Sequence, residues 1–110
     1  MKQYLVDELR PEDHAKVEAY LMERYAAPGV EGLFWLPIDP ELYDAVQHDH
    51  DQCQPYYFAL ELLPDRLACE LLVRSQQRIR CHCIQYATER QRNWLIRAID
   101  GVLEELDIRV

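Results

Sequence analysis

The 110-residue sequence predicts a two-layer α+β domain in which helices pack on one face of a small mixed sheet. Three observations carry this expectation. Between Pro55 and Tyr86, three runs alternate apolar and polar residues with period two, the pattern of strands that bury one face. On either side, apolar residues recur at helical spacing: Val17, Tyr20, Leu21 and Tyr25 before, and Leu95, Ala98, Ile99, Val102, Leu103 and Leu106 after. A composition of 49% hydrophobic and 29% charged residues suits one packed core, so residues 1–110 are expected to form a single domain, with element order β-α-β-α-β-β-β-α.

Taken in order, Tyr4 to Leu9 is short and partly alternating, and reads as an edge strand. Pro11 then opens a helix at a position where a missing N–H costs nothing, and Glu12 and Asp13 suit the positive end of the helix dipole. That helix should reach about Ala26 and stop at Pro28-Gly29. The apolar run Gly32 to Ile38 reads as a further strand, though Pro37 cannot donate to a ladder and argues against a central place. Asp39 as cap and Pro40 as first residue open a short helix to about His48.

The antiparallel meander, about residues 56–86, is the centre of the prediction. Tyr56, Phe58, Leu60 and Leu62 face one way on its first strand, Leu67, Cys69, Leu71 and Val73 on its second, and Ile79, Cys81 and Cys83 on its third. Setting Leu62 opposite Leu67 leaves a loop, Leu63 to Arg66, in which Pro64 fixes the φ that starts a turn. The register then pairs Leu60 with Cys69, Phe58 with Leu71 and Tyr56 with Val73. A loop around Ser75-Gln76-Gln77 pairs Val73 with Ile79, Leu71 with Cys81 and Cys69 with Cys83, and sets Leu72 beside Arg80 and Glu70 beside His82 on the other face. After the meander, Thr88 and Gln91 form a capping box ahead of the long final helix. Gly101 inside that helix costs roughly 1 kcal/mol relative to alanine unless a neighbour approaches closely. Ile108 to Val110 reads as a short strand or a frayed end.

A net charge of -8 argues against general binding to nucleic acid or an anionic membrane. The charge is uneven: residues 1–65 carry fourteen acids and four bases, whereas residues 66–110 carry eight bases and six acids. The arginines from Arg74 to Arg97 are expected to pair with the acidic half, within the fold or across a dimer. Acidic residues follow Tyr4-Leu5-Val6 before any signal-like apolar stretch develops, so the expected location is cytoplasmic, with the four cysteines as thiols.

Phosphate loops, nucleophile elbows, HExxH and CxxC are all missing from the sequence, and three glycines leave little room for a phosphate cradle. Three functional expectations remain, from different classes. The leading one is a non-catalytic binding or assembly protein, a homo-oligomer or a partner-binding module, which needs no cofactor. Its contact would be the outer sheet face, with Tyr57, Leu72, Arg80, His82, Ile84 and Tyr86. A second is a metal protein in which His48, His50 and Cys53 hold zinc or a similar transition metal, since imidazole and thiolate suit such ions. The third is a small enzyme centred on Glu70 and His82, a carboxylate beside an imidazole. Strand alternation sends His82 away from Cys81 and Cys83, so that string is read as core thiols rather than as a metal site.

Overall fold

A computed structural model describes residues 1–26 and 29–110. It has the α+β architecture expected, but the sheet is wholly antiparallel rather than mixed, with four strands ordered β1-β4-β3-β2. The elements are β1 (Gln3–Val6), α1 (Pro11–Tyr25), β2 (Leu33–Pro37), α2 (Ala45–Asp49), β3 (Tyr56–Leu63), β4 (Arg66–Ser75) and α3 (Glu89–Glu105). Two short 3-10 turns, Pro40–Leu42 and Asp51–Cys53, flank α2. No helix among the described residues is long and apolar enough to cross a membrane.

One sheet face packs against α1 and α3. Phe34 and Leu36 from β2, Tyr56, Phe58, Leu60 and Leu62 from β3, and Leu67, Cys69 and Val73 from β4 join Val17 and Leu21 of α1 and Leu95, Ile99 and Leu103 of α3 in one core. Each fully buried Leu or Phe contributes about 1.5–3 kcal/mol by leaving water. The opposite face carries half-buried Leu33, Trp35 and Tyr57 and buried Ala59, with the end of α1, Arg24 and Tyr25, beside Trp35 and Tyr57. Its hollow, of about 470 Å³, is lined by sheet residues and the N-terminus.

Helix α1 starts as the sequence requires, at Pro11, and ends at Tyr25. Its start is fixed by Asp13, which accepts the Arg10 backbone N–H and two guanidinium bonds at 3.0 and 3.2 Å. The stop signal Pro28 lies outside the described residues. Strand β2 forms the sheet edge, where Pro37 at its last position owes no ladder bond. It is entered through Gly32 at φ +77, whose carbonyl accepts the Leu62 N–H at 2.8 Å. The helix expected from Pro40 to His48 is instead two pieces, because Tyr43 turns inward and accepts the Tyr56 N–H at 3.1 Å. Asp44 and Gln47 then cap α2 afresh.

The hairpin register holds next to its turn, with Leu62 opposite Leu67 and Leu60 opposite Cys69. Beyond that a bulge adds two residues to β4, so Phe58 faces Val73 and Tyr56 faces Ser75 rather than Leu71 and Val73. A slip of two conserves the faces, so the core set of the two strands survives except for Leu71, which is half-buried against the core rather than inside it.

The third meander strand does not form. Its place on β4 is shared: β1 takes one half, with Gln3 opposite Glu70 and Tyr4 opposite Cys69, and Gln85 to Ala87 take the other through the Leu72–Tyr86 bridge. Val73 N–H donates to Gln85 O at 2.9 Å and Ala87 N–H to Leu71 O at 2.7 Å. Gln76 to Gln85 is therefore a loop, and Ile79, expected in the core, is 83% exposed. The pairs Val73/Ile79, Leu71/Cys81, Cys69/Cys83 and Glu70/His82 are all absent from the register. Two properties of the segment oppose that pairing: Gln76-Gln77 has none of the residues a tight hairpin turn needs, and Arg78 and Arg80 would flank Ile79 along the sheet.

At the other end, α3 closes with a Schellman motif, in which Asp107 takes φ 55 and the Ile108 N–H reaches Leu103 O at 2.9 Å. Ile108 is thereby buried beside Leu103, so it is neither strand nor frayed end.

Candidate metal centre

The loop between β4 and α3 brings two ligand-rich segments together. The sulfur atoms of Cys53, Cys81 and Cys83 lie within 4.8 Å of one another, and so do ligand atoms of His50, Cys81 and His82. Cys81 belongs to both groups. Around it stand two further thiols and two imidazoles, from an HxxC segment and a CHC segment.

Each segment is held by bonds that do not involve the ligands' own donor atoms. Ser75, buried at the end of β4, donates its hydroxyl to the Cys53 carbonyl and accepts the N–H groups of Gln77 and Arg78 at 3.0 and 3.3 Å. One side chain thus ties the 3-10 turn carrying Cys53 to the start of the cysteine loop. Cys81 to Ile84 form a turn closed by the Ile84 N–H on Cys81 O at 2.9 Å. In a turn, unlike a strand, consecutive side chains can share a side, so Cys81, His82 and Cys83 converge on one region.

Farther out, two capping boxes interlock. Fully buried Gln91 accepts the Thr88 N–H and gives its amide to Leu42 O at 2.9 Å and to Gln47 Oε1 at 2.8 Å; Gln47 in turn accepts the Asp44 N–H. The start of α3 is thereby clamped to α2, the helix that leads into His50 and Cys53.

The electrostatics suit a thiolate centre. The Cys81 thiol is drawn down to about 7, chiefly because the Cys83 backbone N–H points at its sulfur, with further help from the Cys83 and Cys53 thiols and from His50. Burial pushes Cys83 the other way. His50 Nδ1 sits 2.6 Å from Val46 O, a bond that in the neutral ring would put the proton on Nδ1 and turn the Nε2 lone pair outward for a metal. The Tyr56 hydroxyl is buried with no hydrogen-bond partner, and the sulfur it faces is that of Cys83. A buried phenol with nothing to donate to is costly, whereas a thiolate there would accept its proton.

The sequence-predicted metal residues divide. His50 and Cys53 are in the cluster. His48 is not: its ring stands edge-on to Tyr43 with centroids 5.7 Å apart. Strand alternation would separate His82 from Cys81 and Cys83, and the missing third strand removes that separation. The signal was present in the ligand density of 81–83 itself. Cys69, expected beside Cys83, is instead opposite Tyr4 and fully buried, which raises its thiol to about 12.

The acid/base pair is separated as well. Glu70 holds Arg74 through bonds of 2.7 and 3.3 Å on its own strand, while the His82 ring meets His50 at 4.5 Å. Of the residues expected at an interface, Leu72 and Tyr86 are bridged to each other, Tyr57 lies on the open sheet face, Ile84 packs against the core, and Arg80 and His82 are on the exposed loop. Among the described residues Arg78, Arg80, Arg90, Arg92 and Arg97 make no ion pair, and Arg74 pairs with Glu70 of the basic half, so the expected pairing of these arginines with the acidic half does not form within the chain. Comparison with protein families, with curated proteins and with solved structures finds no match.

Proposed function

We propose that this protein is a metal-binding domain whose centre takes a thiophilic divalent ion, zinc first, on Cys53, Cys81, Cys83 and His50. The observation that carries the reading is that two segments far apart in sequence bring the thiols of Cys53 and Cys83, and separately the imidazole of His50, within 4.8 Å of the Cys81 sulfur. In a tetrahedral zinc site, bonds of about 2.3 Å to sulfur and about 2.0–2.1 Å to nitrogen place the donors somewhat under 4 Å apart; the three sulfurs need only a small contraction, while His50, within 4.8 Å of Cys81 but not grouped with all three sulfurs, must move further inward to complete the set. Three thiolates and a neutral imidazole leave the centre with one negative charge, which the Cys83 N–H and the Tyr56 hydroxyl are placed to offset.

Four protein donors make a closed, structural site, whose role is to tie the cysteine loop and α2 to the end of β4. His82, exposed at the rim, is the spare imidazole. The test is metal uptake by untagged, reduced protein, followed by elemental analysis and by cobalt substitution. One ion per chain, with the strong visible absorption of tetrahedral cobalt thiolate, is expected. Serine at Cys53, Cys81 or Cys83 should abolish it, and His48→Ala should leave it intact. Absence of bound ion from folded, reduced protein sinks the proposal.

A second reading, self-association, is favoured by the outer sheet face, with Trp35 and Tyr57 edge to face at 5.9 Å. Sedimentation of wild type beside Trp35→Glu tests it: a wild type that is monomeric at every concentration rules it out.

A further inference from the structure

Building on the metal reading, we propose that Cys81 is a peroxide-reactive thiol that closes a disulfide with Cys53 and thereby discharges the metal. Of the three clustered cysteines Cys81 alone is partly exposed, while Cys53 and Cys83 are 0% and 2% exposed. A hydroperoxide arriving from solvent meets Cys81 first, and both possible resolving sulfurs already stand within 4.8 Å of it.

The chemistry balances with the hydroperoxide as the sole oxidant. The Cys81 sulfur attacks the peroxide oxygen, the O–O bond breaks, and sulfur becomes a sulfenic acid as hydroxide or alkoxide leaves and takes up a proton. The Cys53 sulfur then attacks the Cys81 sulfur, the S–O bond breaks, and the departing hydroxide leaves as water with the Cys53 proton. Two thiols have given two electrons, one hydroperoxide has accepted them, and the products are a disulfide, one water and one further water or alcohol.

Cys53 is favoured over Cys83 as the resolving residue for a geometric reason. Cys81 and Cys83 have only His82 between them inside the turn closed on Ile84, so a bridge between them must fit a small ring through that turn. Cys53 belongs to a separate segment that Ser75 already holds against the loop. Once that disulfide forms, only Cys83 and His50 remain of the proposed donors, too few to retain a zinc ion.

The experiment uses untagged protein, reduced and loaded with zinc, beside a chelator-stripped sample. Zinc uptake is measured first. Both samples then receive equimolar hydrogen peroxide, free thiols are alkylated, peptides are mapped, and released zinc is read with a chromophoric chelator. A Cys53–Cys81 disulfide in both samples is expected, with Cys69 still a thiol, zinc released one for one with the disulfide, and binding restored by dithiothreitol. Cys53→Ser should halt the reaction at a Cys81 sulfenic acid that dimedone traps. Wild-type Cys81 ending as sulfinic acid, a disulfide between other cysteines, or zinc retained after the disulfide has formed would each overturn the proposal. Failure to take up zinc before peroxide is added overturns the metal reading and the discharge step with it, while the stripped sample still decides the Cys53–Cys81 chemistry.

Discussion

Replacing Tyr56 by Phe should change metal affinity and the stability of the metal-free protein in opposite directions. The Tyr56 side chain is 0% exposed, and its hydroxyl has no hydrogen-bond partner. Without metal, Cys83 is a neutral thiol, a weak acceptor, and its burial favours that form. An unpaired buried hydroxyl costs about 1–3 kcal/mol, so deleting it while keeping the ring should stabilise the metal-free protein, by about 1 kcal/mol at the low end of that range because the thiol accepts weakly. With metal bound, Cys83 is a thiolate and the hydroxyl becomes its donor. Loss of such an outer-shell bond weakens metal affinity about 10–100-fold, which is about 1.4–2.8 kcal/mol. The assays are urea unfolding in chelator and reductant, and zinc titration against a competing chromophoric chelator. A variant that is less stable without metal, or that binds zinc as tightly as wild type, would refute the reasoning.

Other outcomes follow from the same structure. Ile79→Glu should change stability by no more than about 0.5 kcal/mol, as at ordinary surface sites, while Phe58→Ala should cost about 3–5 kcal/mol; denaturant midpoints decide, and a costly Ile79 change would restore the third strand. Gly101→Ala should stabilise by about 0.8–1 kcal/mol, since a Cβ there meets nothing within 4 Å, and an unchanged or lower melting temperature would count against the open surround. Gln91→Ala strips partners from Leu42 O, Gln47 Oε1 and the Thr88 N–H, so a loss of about 2 kcal/mol or more is expected by denaturant unfolding, with weakened zinc binding if α2 positions His50. Asp13 is held below the ordinary carboxylate range, first by the Arg10 guanidinium bonds. A lowered folded-state value stabilises above the unfolded pKa and is lost as pH falls through the folded one, so the stability difference between wild type and Asp13→Asn should shrink on acidification.

Some of this was legible in local sequence because local physics decides it. Alternation set which side chains of β3 and β4 face the core, and Pro64 set the hairpin that aligns Leu62 with Leu67. Thr88 and Gln91 announced the start of α3, since a capping box involves only neighbours. Even the bulge left those faces intact, because it shifts the register by two. The metal centre was half visible: His50 and Cys53 stood out by ligand density, but so did His48.

What the tertiary structure decided is which segment occupies the free edge of β4. Period two tells a residue which face it would take in a strand, but not whether the strand forms, and β1 from the opposite end of the chain competes for the same N–H and C=O groups. Once β1 holds Leu67 to Glu70, residues 76–84 are released as a loop and the alternation that would separate His82 from the two cysteines no longer applies. Ser75 then draws that loop to Cys53, and the interlocked Gln47 and Gln91 hold α2 in place. The partners of Cys81 are thus chosen by contacts between distant segments, and spacing within either segment carries no record of them.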